Sequence, residues 1–202
     1  MFSFFASPGT HETRVGYRNS PLPTGHVHVA DRPGLIEGRP APRVLAVASS
    51  GGHWVQLMRL RPAWQGCDVA YLTTDASYLA PLRAQATRDG VAPPRFYVTV
   101  AGNRWQKLRL LHQLASVAWV VVKERPAVVC TTGASPGYFA IRIAGLLGAR
   151  TVWIDSIANA DSLSMAGQLA GRCADIWLTQ WESLAGDAAG DGRRPASWGA
   201  VL

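Results

Sequence analysis

Arg43-Val44-Leu45-Ala46-Val47-Ala48-Ser49-Ser50-Gly51-Gly52-His53 is the stretch on which the reading of this chain turns. A nearly unbroken apolar run closes on two serines, two glycines and a histidine, then opens into Trp54-Val55-Gln56-Leu57-Met58. That pattern predicts a buried strand, a tight turn and the start of a helix. Such a turn suits an anion such as phosphate. Gly51 and Gly52 let the backbone come close without a Cβ in the way, and the first-turn N–H groups of a helix carry roughly half a positive charge. His53 would stand beside whatever the turn holds, and imidazoles titrate near neutrality. The same turn can also be merely structural. It is neither the Gly-x-Gly-x-x-Gly fingerprint nor a P-loop, because no Gly-Lys-Ser/Thr follows, and this weighs against NAD and ATP.

At 202 residues, 48% of them hydrophobic, the chain has material for one α/β domain with a substantial core. A formal charge of +7 favours polyanionic partners. No nucleic-acid-binding motif accompanies the charge, so nucleic acid is not expected. Cys67, Cys130 and Cys173 are far apart, lie in or beside apolar runs and make no Cys-x-x-Cys, and they are expected to be buried, reduced thiols in a cytoplasmic protein. No signal peptide and no run of ~20 apolar residues is recognisable, so any membrane association is expected to be peripheral.

Residues 1–41, rich in Pro, Gly, His and Arg, are expected to form a disordered or loosely attached arm, with the folded domain at 42–182 and a tail at 183–202. His11, His26 and His28 in the arm could bind metal but, scattered through such a segment, read as ordinary polar residues, and no metal or cofactor is expected. After the first turn the helix must end near Arg61, because Pro62 follows. Further strands are expected at 69–73, 96–100, 127–131, 151–154 and 175–179. Helices are expected at 77–88, 103–124, 135–147 and 163–171. Ser135 would cap the fourth of the five helices, with Pro136 in its first turn and Gly148 at its end. Six strands alternating with helices predict a Rossmann-like, doubly wound parallel sheet with its ligand crevice at the carboxyl ends of the strands.

Those ends carry residues 49–53, 73–75, 101–103, 132–135, 155–159 and 180–182. Thr132-Gly133-Ala134-Ser135 repeats the chemistry of the first loop, a glycine and hydroxyls leading into a helix, so that Ser50, Gly51 and Gly52 together with the second loop could hold a diphosphate. Asp155 could bond a sugar hydroxyl, act as a base, or simply cap its own loop. On the longest helix, Leu110, Leu111, Leu114, Ala118, Val121 and Val122 are expected to face the core. The opposite stripe is Trp105, Arg109, His112, Ser116, Trp119 and Lys123. Indoles among cations on a wet face suit an anionic membrane surface, where each Lys or Arg adds roughly 1 kcal/mol. Packing beneath the arm or a partner would account for them equally well.

Assembled in order, these residues resemble the Alg-fourteen/PssD/CpsF family of split glycosyltransferases and, more distantly, the N-terminal half of MurG. The resemblance rests on Ser49-Ser50-Gly51-Gly52-His53, on Lys123-Glu124-Arg125-Pro126 followed by Thr131-Thr132-Gly133-Ala134, on Trp153-Ile154-Asp155-Ser156, and on Ala174-Asp175 with Gln180-Trp181-Glu182. It implies the acceptor-binding half of a GT-B glycosyltransferase whose UDP-sugar is held by a separate Alg-thirteen/PssE-like subunit, contacted around Gln180, Trp181, Glu182 and the tail. The acceptor would be a polyprenyl-diphosphate-linked saccharide at the cytoplasmic membrane face, in glycan, capsule or exopolysaccharide assembly. His53 or Asp155 would be the base in an inverting displacement. Two features depart from the family. No counterpart of the hydrophobic anchor helix of the eukaryotic relatives is expected, so that membrane attachment would rest on the Trp105–Lys123 face, and position 155 is aspartate where glutamate is frequent. A noncatalytic scaffold that recruits the donor subunit and a self-sufficient nucleotide-binding enzyme are the alternative readings.

Overall fold

A computed structural model of the chain describes residues 40–102, 105–186 and 194–201. The expected arm, with His11, His26 and His28, lies outside the described residues apart from positions 40 and 41. The elements in order are β1 (Arg43–Val47), α1 (Gly52–Arg59), β2 (Asp68–Thr73), α2 (Leu79–Arg88), β3 (Arg95–Val98), α3 (Lys107–Glu124), β4 (Val128–Thr131), α4 (Ala134–Leu146), β5 (Arg150–Ile154), α5 (Met165–Ala170), β6 (Ile176–Thr179) and β7 (Ala196–Ser197). Short 3-10 turns at Arg61–Trp64, Ala76–Tyr78 and Glu182–Leu184 complete the list.

All seven strands are parallel, in the order β3-β2-β1-β4-β5-β6-β7. The chain winds outward from β1 through β2 to β3, then crosses back to β4 and winds the other way. The strand order therefore switches between β1 and β4, and in an open parallel sheet the crevice at such a switch is where ligands bind. Alternate residues of each strand serve opposite cores. Leu45 and Val47 of β1 pack with Val117, Val121, Ala140, Ile141 and Ala170 beneath α3, α4 and α5. Val44 and Ala46 pack with Trp54, Leu57, Trp64 and Leu82 beneath α1 and α2. Burial on both faces explains the unbroken apolar character of β1.

The sheet has seven strands where the sequence pattern predicts six. β7 lies beyond residue 182, two residues long, and pairs Leu178 with Ala196 and Thr179 with Ser197. A strand so short, without alternation, leaves no periodic signal. Helix α4 also begins earlier than expected: Gly133, at φ +124°, is its N-cap, and the Ser135 hydroxyl donates to the Gly102 carbonyl at 3.2 Å instead of capping the helix.

Helix α3 corrects the expected core stripe. Its inward side chains are Gln113, Val117, Val120, Val121 and Glu124, whereas Leu111, Leu114 and Val122 are exposed. The reason is polar. Gln113 donates from Nε2 to the Val100 carbonyl at 2.7 Å, and the Glu124 carboxylate accepts from Arg95 Nε at 2.9 Å and from the Tyr97 hydroxyl. Both residues stitch α3 to the segment around the edge strand β3, and with them turned inward Leu108, Leu111 and Leu114 face outward while Leu110 is half-buried. Among the described residues no helix is long and apolar enough to cross a membrane.

Candidate active site

The turns after β1 and β4 are neighbours because those strands pair, Val47 beside Thr131. Each delivers a helix N-terminus to the same rim. Gly51 has φ +76° and Gly133 φ +124°, conformations that L side chains rarely adopt. Ala134, at φ +64°, is strained in the same way, and such outliers mark functional sites more often than packing sites.

The first turn is partly satisfied from within. Ser50 N donates to Thr74 Oγ1 and Gly51 N to the Tyr78 hydroxyl, both at 2.9 Å, so these two amides are not open to a ligand as expected. The Tyr78 ring stacks on Trp54 at 4.6 Å, which anchors its hydroxyl. The amides of Gly52 and His53 on α1, and those of Ala134 and Ser135 on α4, have no partner among the described residues. They are the donors of the two turns left without a protein partner.

His53 bridges the two turns. Its Nδ1 lies 2.7 Å from the Thr132 carbonyl oxygen, and the Thr132 hydroxyl donates to the His53 carbonyl, also at 2.7 Å. Thr132 is fully buried, so its side chain serves the histidine and is closed to a diphosphate. Gly133 lies against the imidazole: a Cβ there would stand 2.8 Å from Cε1.

Asp155 sits deeper, only 1% exposed. Oδ1 accepts from Ser164 Oγ at 2.7 Å and from Trp153 Nε1 at 3.3 Å; Oδ2 accepts from Ser164 N at 3.0 Å and from Asn159 Nδ2 at 3.2 Å. Both oxygens are fully engaged in holding the 155–164 loop and the Ser164 cap of α5. The geometry is that of a positioning group. Gln180 is likewise internal, donating from Nε2 to Gln56 Oε1 at 2.7 Å and to the Asp155 carbonyl at 2.9 Å, while its Oε1 accepts from Val201 N at 2.8 Å. Trp181 Nε1 donates to the Ile157 carbonyl at 2.8 Å. Of the three expected partner-binding residues, Gln180 is buried and Trp181 half-buried, leaving Glu182 exposed. Gln56, buried beside Ser156 and three positions after His53, ties α1 to the β5 loop; sequence reasoning missed it because a glutamine on a short helix reads as a solvent face.

On α3 the expected cationic and aromatic stripe is exposed: Arg109, His112, Trp119 and Lys123, with Trp105 just before the helix. Lys123 Nζ stands 4.6 Å over the Trp119 ring. Leu108, 84% exposed, Leu111 and Val122 widen this face into an apolar strip flanked by cations. Of the cysteines, Cys130 is buried while Cys67 and Cys173 are half-buried; all three are free thiols.

A parallel sheet with paired helix N-termini at its switch point is a Rossmann-like α/β architecture. No family model matches the chain. It is similar to the UDP-N-acetylglucosamine transferase subunit ALG14 of Eremothecium gossypii, 29% identical over 174 residues, covering 73% of this chain and 77% of that one. The same subunit of Candida albicans is 26% identical over 152 residues, covering 67% and 68%. The resemblance to the Alg-fourteen-like family is thus borne out across most of the chain. Acinetobacter baumannii MurG matches in fold with a TM-score of 0.51 at 16% identity, covering 69% of this chain and 41% of MurG. Rickettsia bellii UDP-N-acetylglucosamine 2-epimerase does so with a TM-score of 0.53 at 14% identity, covering 71% and 40%. The chain therefore spans about two fifths of the length of these solved structures.

Proposed function

We propose that this chain is the acceptor-binding, membrane-associating subunit of a two-component glycosyltransferase, which moves a sugar from a UDP-sugar held by a separate donor-binding subunit to a polyprenyl-diphosphate-linked saccharide. The likeness to ALG14 over most of the chain supports the subunit role, and the match in fold to about two fifths of MurG is in keeping with one GT-B-type domain. One observation carries the chemistry: His53 is clasped between the two turns at the sheet's switch point, next to the open amides of two helix N-termini.

In this reading the acceptor diphosphate lies against the amides of Gly52, His53, Ala134 and Ser135, where the helix dipoles favour negative charge. His53 takes the proton from the acceptor hydroxyl as it attacks the anomeric carbon, and UDP leaves from the opposite side, so configuration inverts. The partner's donors stabilise the departing UDP without a metal. Asp155 keeps the adjoining loop in shape. The exposed face of α3, with Trp105, Leu108, Leu111 and Trp119 among Arg109, His112 and Lys123, rests on the anionic cytoplasmic leaflet and brings the lipid-borne acceptor to the crevice. Glu182 and the tail beyond it meet the donor subunit.

The test is reconstitution. Neither this chain nor its donor-half partner alone should transfer sugar from a labelled UDP-sugar to a polyprenyl-diphosphate acceptor, and the pair should. Transfer by the isolated chain would sink the two-component reading.

A further inference from the structure

The contact between His53 and Thr132 fixes more than the position of a ring. Nδ1 stands 2.7 Å from the Thr132 carbonyl, and a carbonyl oxygen can only accept. In the neutral ring the proton therefore sits on Nδ1 and the lone pair on Nε2, which has no hydrogen-bond partner among the described residues. A free imidazole in water favours the opposite tautomer, so the protein imposes this one. It does so through both ends of the same residue pair: the Thr132 hydroxyl donates back to the His53 carbonyl at 2.7 Å, fixing the first turn of α1 against the β4 loop. Gly133 closes the arrangement, because a Cβ there would press on Cε1 at 2.8 Å and Nδ1 at 3.0 Å.

We infer that Thr132 is a positioning residue that locks neutral His53 in the Nδ1–H tautomer and leaves Nε2 as the basic nitrogen of the site. Its catalytic meaning rests on the reading of His53 as the base, but the lock itself is a property of the fold and is measured separately. The proton taken from an acceptor hydroxyl would arrive on Nε2, and the imidazolium so formed keeps its Nδ1–H bond to Thr132. The ring need not turn during the step.

The direct test is long-range proton–nitrogen correlation NMR on the ¹⁵N-labelled full chain at a pH where the ring is neutral, with His53 assigned by its absence in His53→Gln. The lock predicts a pyrrole-type Nδ1 and a pyridine-type Nε2. Thr132→Val removes the hydroxyl donor at nearly constant volume and keeps the carbonyl; by loosening the turn that aims the carbonyl at Nδ1 it should let some Nε2–H form appear beside the Nδ1–H form and lower turnover of the reconstituted pair by roughly 10- to 100-fold, as loss of an orienting partner does. Thr132→Ser should restore both. A pyridine-type Nδ1 in the unaltered chain overturns the inference whatever the activity; a Thr132→Val chain that keeps both tautomer and rate overturns the part given to the hydroxyl and leaves the lock to the carbonyl alone. A locked tautomer with undiminished turnover in His53→Ala upholds the lock and overturns the base. Should Thr132→Val not fold, the spectrum of the unaltered chain decides.

Discussion

The Tyr78 hydroxyl accepts a 2.9 Å hydrogen bond from the Gly51 amide, so the glycine turn that opens α1 is held by a side chain 27 positions away. The stack of Tyr78 on Trp54 keeps that hydroxyl in place. Tyr78→Phe keeps the stack and releases the amide. The turn is exposed, so water replaces the lost partner, and a denaturant melt should show a loss of about 0.5–1.5 kcal/mol.

Gly133 and Gly51 both carry positive φ but differ in surroundings. A Cβ at Gly51 meets nothing within 4 Å, whereas one at Gly133 meets the His53 ring at 2.8 Å. Gly51→Ala should cost only the backbone penalty, roughly 1–3 kcal/mol. Gly133→Ala should cost about that plus the displaced imidazole, and turnover of the reconstituted pair should fall far more than in Gly51→Ala. Equal effects on turnover would show that the ring position is unimportant.

Tyr97 gives a pH dependence. Burial, then its bond to the Glu124 carboxylate and that charge, push its phenol up to about 12. The folded state thus holds a proton that the unfolded chain releases near its ordinary value of about 10. The stabilisation is complete below pH ~10 and is lost as pH rises from there through about 12. Tyr97→Phe should flatten the alkaline limb of the stability curve over that range. An unchanged slope would place the phenol elsewhere.

Burial pushes the Cys130 thiol up to about 12, so it stays protonated at pH 8 and, being enclosed, unreactive. A disulfide-exchange reagent should label Cys67 and Cys173 in the native chain and reach the third thiol only on unfolding. Rapid labelling of Cys130 would contradict the packing of β4.

The outward face of α3 should bind vesicles. Trp119→Glu with Leu108→Glu should abolish sedimentation with anionic vesicles while leaving the melting temperature within a few degrees, because both side chains are exposed. Binding by the unaltered chain should weaken as salt rises. Retained binding in the double variant would move the membrane contact to another surface.

Much of this was legible in the residues themselves. The apolar run before Ser49, the Gly51-Gly52 pair and the Gly133 turn announce strand–turn–helix units, and the alternation of strands with helices gives a parallel sheet. The pairing of the two turns follows from the β1–β4 switch. What periodicity misread was α3, because Gln113 and Glu124 are polar yet face inward to bond with Val100, Arg95 and Tyr97, a demand created by an edge strand far away in sequence. Asp155 shows the same limit. An aspartate at a strand end reads as a base or a cap, and only the folded chain brings Ser164, Asn159 and Trp153 to its two oxygens. Likewise Gly51 looks like an open anion donor until Tyr78 folds over it.

The measurement that bears most directly on the account is the turnover of His53→Ala in the reconstituted pair, with a labelled UDP-sugar and a polyprenyl-diphosphate acceptor at saturating concentration. Loss of a general base predicts a fall on the order of 10²–10⁴ with assembly of the two subunits intact. Undiminished turnover in an intact pair would contradict the assignment of the chemistry to this crevice.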